Sequence, residues 1–363
     1  MSRIPLDASI RNILVVNFGG IGDEILFFPV IQSLRETYPH AHLTALVEPR
    51  CQGIGAFNPA IDQVVTLDIK GRVTPFDLLG TLGTLREQPI DLAIGSGRSP
   101  IMPLLLLLSG ARYRAGYDAN RLSWTLTERA RLDSQQYAGE MYYDLVRSWI
   151  PIPFRLPQVA LSQTDREWAK AFLAEQGVEP GDPVVVLHPG SSRLSVLKGF
   201  IKSWDPARWA ELAARLQQAG AKVVLAGGPD DAEAIAAIQA ALTFSPIMAY
   251  GQTRGLGQLA ALVAQSTVLV SVDSAPMHLG VAVGTPTVAL FGPTDPAKLL
   301  PTGTVHQAIH VDGLACRPCL FDKRKTTCEA LTCLKDLSVS QVEEAVWRVL
   351  PSPQRDGASH AAT

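Results

Sequence analysis

Short β-branched and aliphatic runs alternate with helix-period stretches along almost the whole chain. NILVVN (12–17) leads into an amphipathic stretch ending near Tyr38, and HLTALV (42–47) follows. QVVTLD (63–68) precedes another helical pattern, and IDLAIG (90–95) comes next. Strands apolar along their whole length, separated by helices, predict parallel sheets covered on both faces. Around 150–165 the rhythm breaks in WIPIPFRLPQVALSQTD, which is proline-rich and has no period. After one helix near 164–177 and the turn EPGDP, the pattern restarts with VVVLHPGSS (184–192). It continues through AKVVLAGG (221–228), STVLVSVD (266–273) and TPTVALFG (285–292). The prediction is an α/β protein of two doubly wound domains, 1–160 and 161–350, with a ligand cleft between them. The remainder, 351–363, is polar and small-residued and reads as a loose tail.

The length of 363 residues suits two domains rather than one core. Lys plus Arg number 32 against 34 for Asp plus Glu, a balance that argues against broad binding to nucleic acid. The opening MSRIPLDASIRNILVV has no apolar run of secretory length. IMPLLLLLSGA is about half as long as a bilayer span requires. The expected location is therefore cytoplasmic, with peripheral contact at the inner membrane face left open.

Two stretches carry candidate chemistry. In VLVSVDSAPMHLG a strand ends at Asp273, Ser274 can cap, and Pro276 fits the first turn of the next helix. Such a construction aims free N–H groups and the positive helix end at the strand's carboxyl edge, which suits a phosphate. Asp273 and His278 either bind hydroxyls there or serve as a cap and a packed core residue. In KSWDPARWAEL, Lys202 precedes a helix with Asp205 as cap and Pro206 at its first position. It is either a cation for a leaving diphosphate or a solvated lysine above two packed tryptophans. NFGGIGDEI (17–25) looks like the phosphate loop of a dinucleotide-binding unit, and an NAD-dependent oxidoreductase is one alternative. Starting that register at Gly20, however, puts Ile25 at the third glycine.

GGIGDEILFFPVIQSLRETYP, HPGSS with KSWDPARWAEL, VVLAGGPDDAE and VSVDSAPMHLGVAVGTPTVALFGPTDP together resemble glycosyltransferase family 9, the lipopolysaccharide heptosyltransferases and their relatives. The resemblance runs from about residue 11 to 348. It implies a GT-B fold, with an acceptor-binding N-terminal domain and a donor-binding C-terminal domain. It also implies inverting transfer of a sugar, typically from ADP-heptose, to a glycan or glycolipid hydroxyl, with no required metal cofactor. By motif matching, Asp273 would hold the donor sugar's hydroxyls, and the amides near Ser274, Ala275, Pro276, Met277 and His278 its diphosphate. Ser191 and Ser192 join the donor site, Lys202 takes the phosphate-binding position, and Glu233 matches a ribose-binding glutamate. Asp23 matches the catalytic base, Gly20 and Gly22 let an acceptor sugar approach the backbone, and Glu24 becomes a first-turn helix residue. A carboxylate beside a helix N-terminus is favoured in its ionised form and would repel a diphosphate, so this loop suits a neutral hydroxyl.

The chain departs from the family in having Ala275 where glycine is usual. That departure supports the alternative of a non-catalytic nucleotide-sugar-binding relative. The stretch between His188 and Lys202 is also longer than usual, leaving Lys198 as a competitor for the lysine role. Finally, Cys316, Cys319, Cys328 and Cys333 follow C-x2-C-x8-C-x4-C. They read as packed or redox-labile thiols, with a structural four-thiolate metal site as the alternative. The basic loops SGRSP (96–100), YRAGYDANR (113–121) and FDKRK (321–325) read as solvated surface, with contact to an anionic acceptor as the alternative and, for FDKRK, to membrane headgroups.

Overall fold

The computed structural model describes residues 4–71 and 73–350, so the expected tail lies outside the described residues. The chain divides into two compact units. One is built on residues up to Gln163, with Val281–Val283 and Ala297–Pro301; the other takes Thr164–Gly280, Gly284–Pro296 and the remainder from Thr302.

The first unit holds β1 (Asn12–Val16), β2 (His42–Val47), β3 (Gln63–Thr66), β4 (Leu92–Gly95), β5 (Tyr113–Tyr117) and β6 (Glu128–Ala130). They form one sheet in the order β3-β2-β1-β4-β5-β6. Every pairing is parallel, for example Val15 with Ala45 on one side and Ile94 on the other. Leu14, Val16, Leu46, Ala93, Leu105 and Leu106 form part of its buried core.

The second unit holds β7 (Val184–His188), β8 (Lys222–Leu225), β9 (Ile247–Met248), β10 (Val268–Val272), β11 (Thr287–Leu290) and β12 (Gln307–Ile309). Their order is β12-β11-β10-β7-β8-β9, again all parallel. Counted from each unit's own first strand, both sheets have the order 3-2-1-4-5-6, that of dinucleotide-type α/β folds. The helix Pro206–Gln218 starts on Asp205, whose carboxylate accepts from Ala207 N at 2.8 Å, with Pro206 at its first position. Its buried face, including Trp209, Leu212 and Leu216, packs in one core with Val342 and Val346 of Val339–Val349.

YRAGYDANR departs from its expected loop, because Tyr113–Tyr117 is strand β5. The physical reason is Arg114, which looks like a surface charge. Its guanidinium instead donates to the carbonyls of Thr125 (2.9 Å) and Ala111 (2.6 Å). Among the described residues no helix is long and apolar enough to cross a membrane.

Candidate active site

In each sheet the winding direction reverses between the two central strands, where the outgoing loops diverge and leave a crevice at the carboxyl ends. In the first unit these strands are β1 and β4. The chain leaves β1 through Asn17–Gly20 and enters the helix Ile21–Thr37, with Asp23 in its first turn. Asp23 Oδ2 accepts from Gly20 N at 2.7 Å, closing the helix start, while Oδ1 accepts from the Tyr142 hydroxyl at 3.2 Å. Gly19 is required by this arrangement, because a Cβ there would lie 2.1 Å from the Cβ of Asp23. Tyr142 comes from the helix Ala138–Arg147 and stands edge-on to Phe27, ring centroids 5.6 Å apart. The loop is pinned from outside by Lys70, donating to Phe18 O at 2.7 Å, and by Arg50, donating to Gly19 O at 3.2 Å. It is tied to β4 by the Ser96 hydroxyl, which donates to Asn17 Oδ1 at 2.7 Å.

Beside Asp23 lies a cavity of about 610 Å³ whose wall includes Asn17, Asp23, Ser96, Arg98 and Tyr142. An ionised carboxylate has about four lone-pair sites, and the two hydrogen bonds above leave Asp23 capacity to accept a further proton donor. Glu24 stands in the first turn of the same helix, as expected. It is buried, and burial together with the neighbouring Asp23 charge pushes its carboxyl well above the usual range. Burial also pushes the Cys51 thiol, near the same loop, up to about 12.

In the second unit the central strands are β7 and β10. Asp273 follows β10 directly and is only 3% exposed. Its Oδ2 accepts from Lys202 Nζ at 3.1 Å and from the Thr294 hydroxyl at 2.7 Å. The helix Ala275–Val283 starts two residues later, with Pro276 in its first turn and Met277 fully buried. Arg317 holds the neighbouring loop by donating to the carbonyls of Gly292, Val311 and Thr294. At the end of β7, burial depresses the His188 imidazole to about 4, so it is neutral at pH 7. A half-buried lysine paired with a buried carboxylate beside a helix N-terminus gives this crevice a cation and oriented amides, the chemistry that receives a phosphate.

The chain has the sequence of a known family as well as this geometry. A family model described as Glycosyltransferase family 9 (heptosyltransferase) matches residues 82–329. The chain belongs to glycosyltransferase family 9. Lipopolysaccharide heptosyltransferase 3 of Escherichia coli K12 is 27% identical over 283 residues, 76% of this chain and 80% of the relative. A glycosyl transferase family 9 structure from Veillonella parvula superposes with a TM-score of 0.76 at 26% identity, covering 93% of this chain and 97% of that one. The structure of E. coli ADP-heptose lps heptosyltransferase II gives a TM-score of 0.71 at 23% identity, covering 93% and 98%. The two parallel six-stranded sheets are those of the GT-B fold. Membership makes the protein a transferase, which removes the NAD-dependent oxidoreductase alternative.

As a member of glycosyltransferase family 9, the chain places its motif residues unevenly. Lys202, Asp273 and Thr294 are brought together, whereas Lys198 is exposed at the end of the short helix Arg193–Leu197. Ser192 starts that helix by accepting from Ser195 N at 3.3 Å, and Ser191 is half-buried. Glu233 is exposed in the first turn of Ala232–Ala241. Ser274 directly precedes the helix Ala275–Val283, and its hydroxyl donates to Val272 O at 3.4 Å. Ala275 lies outside the positive-φ residues, so its Cβ carries no backbone strain of that kind. His278 is buried on the same helix.

Thr294, Arg317 and Tyr142 were not singled out by sequence. Thr294 was legible only as part of GPTDP, and Tyr142 reads as one more apolar position of an amphipathic helix. The four clustered cysteines are free, with Cys319 and Cys333 buried. Burial pushes the Cys333 thiol up to about 11 and raises Cys319 as well. Among the described residues no group of three or more His, Cys, Asp or Glu side chains converges to hold a metal.

Proposed function

We propose that this protein is an inverting heptosyltransferase that moves heptose, or a closely related sugar, from ADP-heptose to a hydroxyl of a lipopolysaccharide-core-like glycan or glycolipid. The first unit, taken as the domain 1–160, receives the acceptor, and the second, taken as 161–350, receives the donor. The acceptor oxygen attacks the anomeric carbon, the bond from that carbon to the diphosphate oxygen breaks, and ADP departs as the configuration inverts. Asp23 takes the proton of the attacking hydroxyl, a role that suits a carboxylate with free lone pairs facing a cavity. Gly20 and Gly22 keep the backbone beside it open to a sugar. Charge growing on the leaving diphosphate is met by Lys202 and the amides at the start of Ala275–Val283. Asp273, together with Ser191, Ser192, His278 and Glu233, supplies the hydroxyl and ribose contacts of the donor. The donor choice is supported by membership of a heptosyltransferase family, whose typical donor is ADP-heptose.

The observation that carries the reading is the placement of Asp23. It closes the helix start with one oxygen and presents its carboxylate to the cavity beside Tyr142. Asp23→Asn keeps an oxygen to accept from Gly20 N, so the helix start survives while the base is removed. Transfer from ADP-heptose should fall by roughly 100- to 10,000-fold, with ADP affinity measured by calorimetry unchanged. Turnover within a few-fold of wild type would take Asp23 out of the mechanism.

A further inference from the structure

Three buried tyrosines of the first unit put their hydroxyls to two different uses. Tyr117, at the end of β5, donates to the Met141 carbonyl at 2.8 Å. Tyr143 donates to the Ile152 carbonyl and pairs with the Ser33 hydroxyl at 3.1 Å. A buried phenol needs such a partner, but it does not need a charged one. Tyr142 instead gives its hydrogen bond to a carboxylate on the wall of a cavity, at 3.2 Å. Burial, with the Asp23 charge beside it, pushes the Tyr142 phenol well above its ordinary range. The proton therefore stays on Tyr142, and the bond has one sense: the phenol donates and Asp23 accepts.

Rotation about the Cβ–Cγ bond of an aspartate is broad and roughly two-fold, so a carboxylate held at one oxygen can still turn the other. Here both oxygens are held, Oδ2 by Gly20 N and Oδ1 by Tyr142. The rest of the cavity wall includes Leu67, Ile69, Met102 and Leu105, side chains with no proton to donate to Asp23. Phe27 stands one turn beyond Asp23 on the same helix face. The Tyr142 ring lies edge-on to it, at 84°, so one side chain packs on Phe27 and reaches Asp23. The bond from Tyr117 to the Met141 carbonyl fixes the backbone immediately before it.

We infer that Tyr142 is the positioning residue of the base: its hydroxyl fixes the plane of the Asp23 carboxylate, so that a free lone pair faces the attacking hydroxyl of the acceptor. The inference rests on the base role proposed above for Asp23. Tyr142 takes no proton and touches no reacting atom. It contributes orientation, on which the rate of a proton transfer depends steeply.

Tyr142→Phe removes the hydroxyl and keeps the ring against Phe27. The assay uses the full chain, ADP-heptose as donor and a deacylated lipopolysaccharide-core oligosaccharide as acceptor. The kcat of Tyr142→Phe should fall by roughly 10- to 100-fold, the worth of a hydrogen bond to a charged group, with both KM values and the melting temperature close to wild type. Tyr143→Phe is the structural control, expected to lower the melting temperature and leave kcat near wild type. In an Asp23→Asn background Tyr142→Phe should lower kcat no further, because its effect passes through Asp23. A second readout needs no acceptor. In NMR of tyrosine-labelled protein, the Tyr142 ring signal, identified by its loss in Tyr142→Phe, should move in Asp23→Asn while those of Tyr117 and Tyr143 hold. Wild-type kcat in Tyr142→Phe would overturn the inference, as would an undiminished loss in the Asp23→Asn background or an unmoved Tyr142 signal. Failure of the base itself looks different, because Asp23→Asn would then keep its transfer rate. Tyr142→Phe at the wild-type rate with Asp23→Asn inactive removes the positioning role alone.

Discussion

Asp23 has a structural twin that shows what the same local chemistry does when it is not a reactive group. Gly19-Gly20 precedes Asp23 as Gly227-Gly228 precedes Asp231, and both carboxylates accept from the second glycine's N–H, at 2.7 and 2.8 Å. Asp231, however, is wedged where a Cβ on Gly190 would lie 1.8 Å from its oxygen, and burial raises its pKa. Asp23 instead lines a cavity and takes a hydroxyl from Tyr142. The sequence shows the Gly-Gly-x-x-Asp spacing in both places but not which aspartate is enclosed, because the enclosing Gly190 lies in the loop after β7, distant in sequence. Glu24 makes a second residue-scale case. A buried carboxyl with a raised pKa binds a proton that the unfolded chain has released. Its stabilising contribution is full below the unfolded pKa near 4.5 and is lost as pH rises toward the folded value. Glu24→Gln removes that loss. The variant should match wild type in urea unfolding at pH 4 and become the more stable of the two as pH rises. The gain cannot exceed about 1.4 kcal/mol per pH unit. Parallel pH profiles for the two proteins would show that Glu24 is ionised in the folded state.

At the scale of elements, legibility follows how much of a strand's burial is carried by its own side chains. β2 is found at its full extent from HLTALV, and the buried β7 and β10 stand inside VVVLHPGSS and STVLVSVD. β5, with Arg114 and Gly116, and the two- and three-residue edge strands β9, β12 and β6 lack such a run. Their pairing is decided by neighbours distant in sequence. The loop after β1 shows the opposite case, because its glycines are legible while their purpose is not. Gly20 faces Arg50 at ordinary contact distance, but Gly19 abuts Asp23 itself. Gly19→Ala should therefore displace the start of Ile21–Thr37, costing about 1–3 kcal/mol in denaturant unfolding and lowering transfer with it. Gly53→Ala meets nothing within 4 Å and is the control, expected to stay within about 0.5 kcal/mol of wild type. Equal stability of the two variants would mean that the loop relaxes around the added methyl.

For the whole molecule, the same winding occurs twice with different chemistry at each reversal point: a carboxylate and an apolar cavity in one unit, a lysine–aspartate pair beside a helix start in the other. The Asp23 network and the Lys202–Asp273–Thr294 group have no hydrogen-bond partner in common among the bonds described. Substitutions in the two should then act additively, and ADP should report on only one of them. At 100 times its dissociation constant, ADP stabilises a folded binder by about 2.7 kcal/mol. That thermal shift should be the same in wild type and Asp23→Asn. Lys202→Met alone is a poor probe, because it leaves the buried Asp273 carboxylate without its cation, a loss of up to about 3–5 kcal/mol by itself. The double variant Lys202→Met with Asp273→Asn removes both charges, leaves no unpaired ion, and recovers most of that stability. It should nevertheless lose the ADP shift, since the cation for the diphosphate is gone. An unchanged ADP shift in the double variant would move the nucleotide away from Lys202, and a lost shift in Asp23→Asn would end the division of labour between the units.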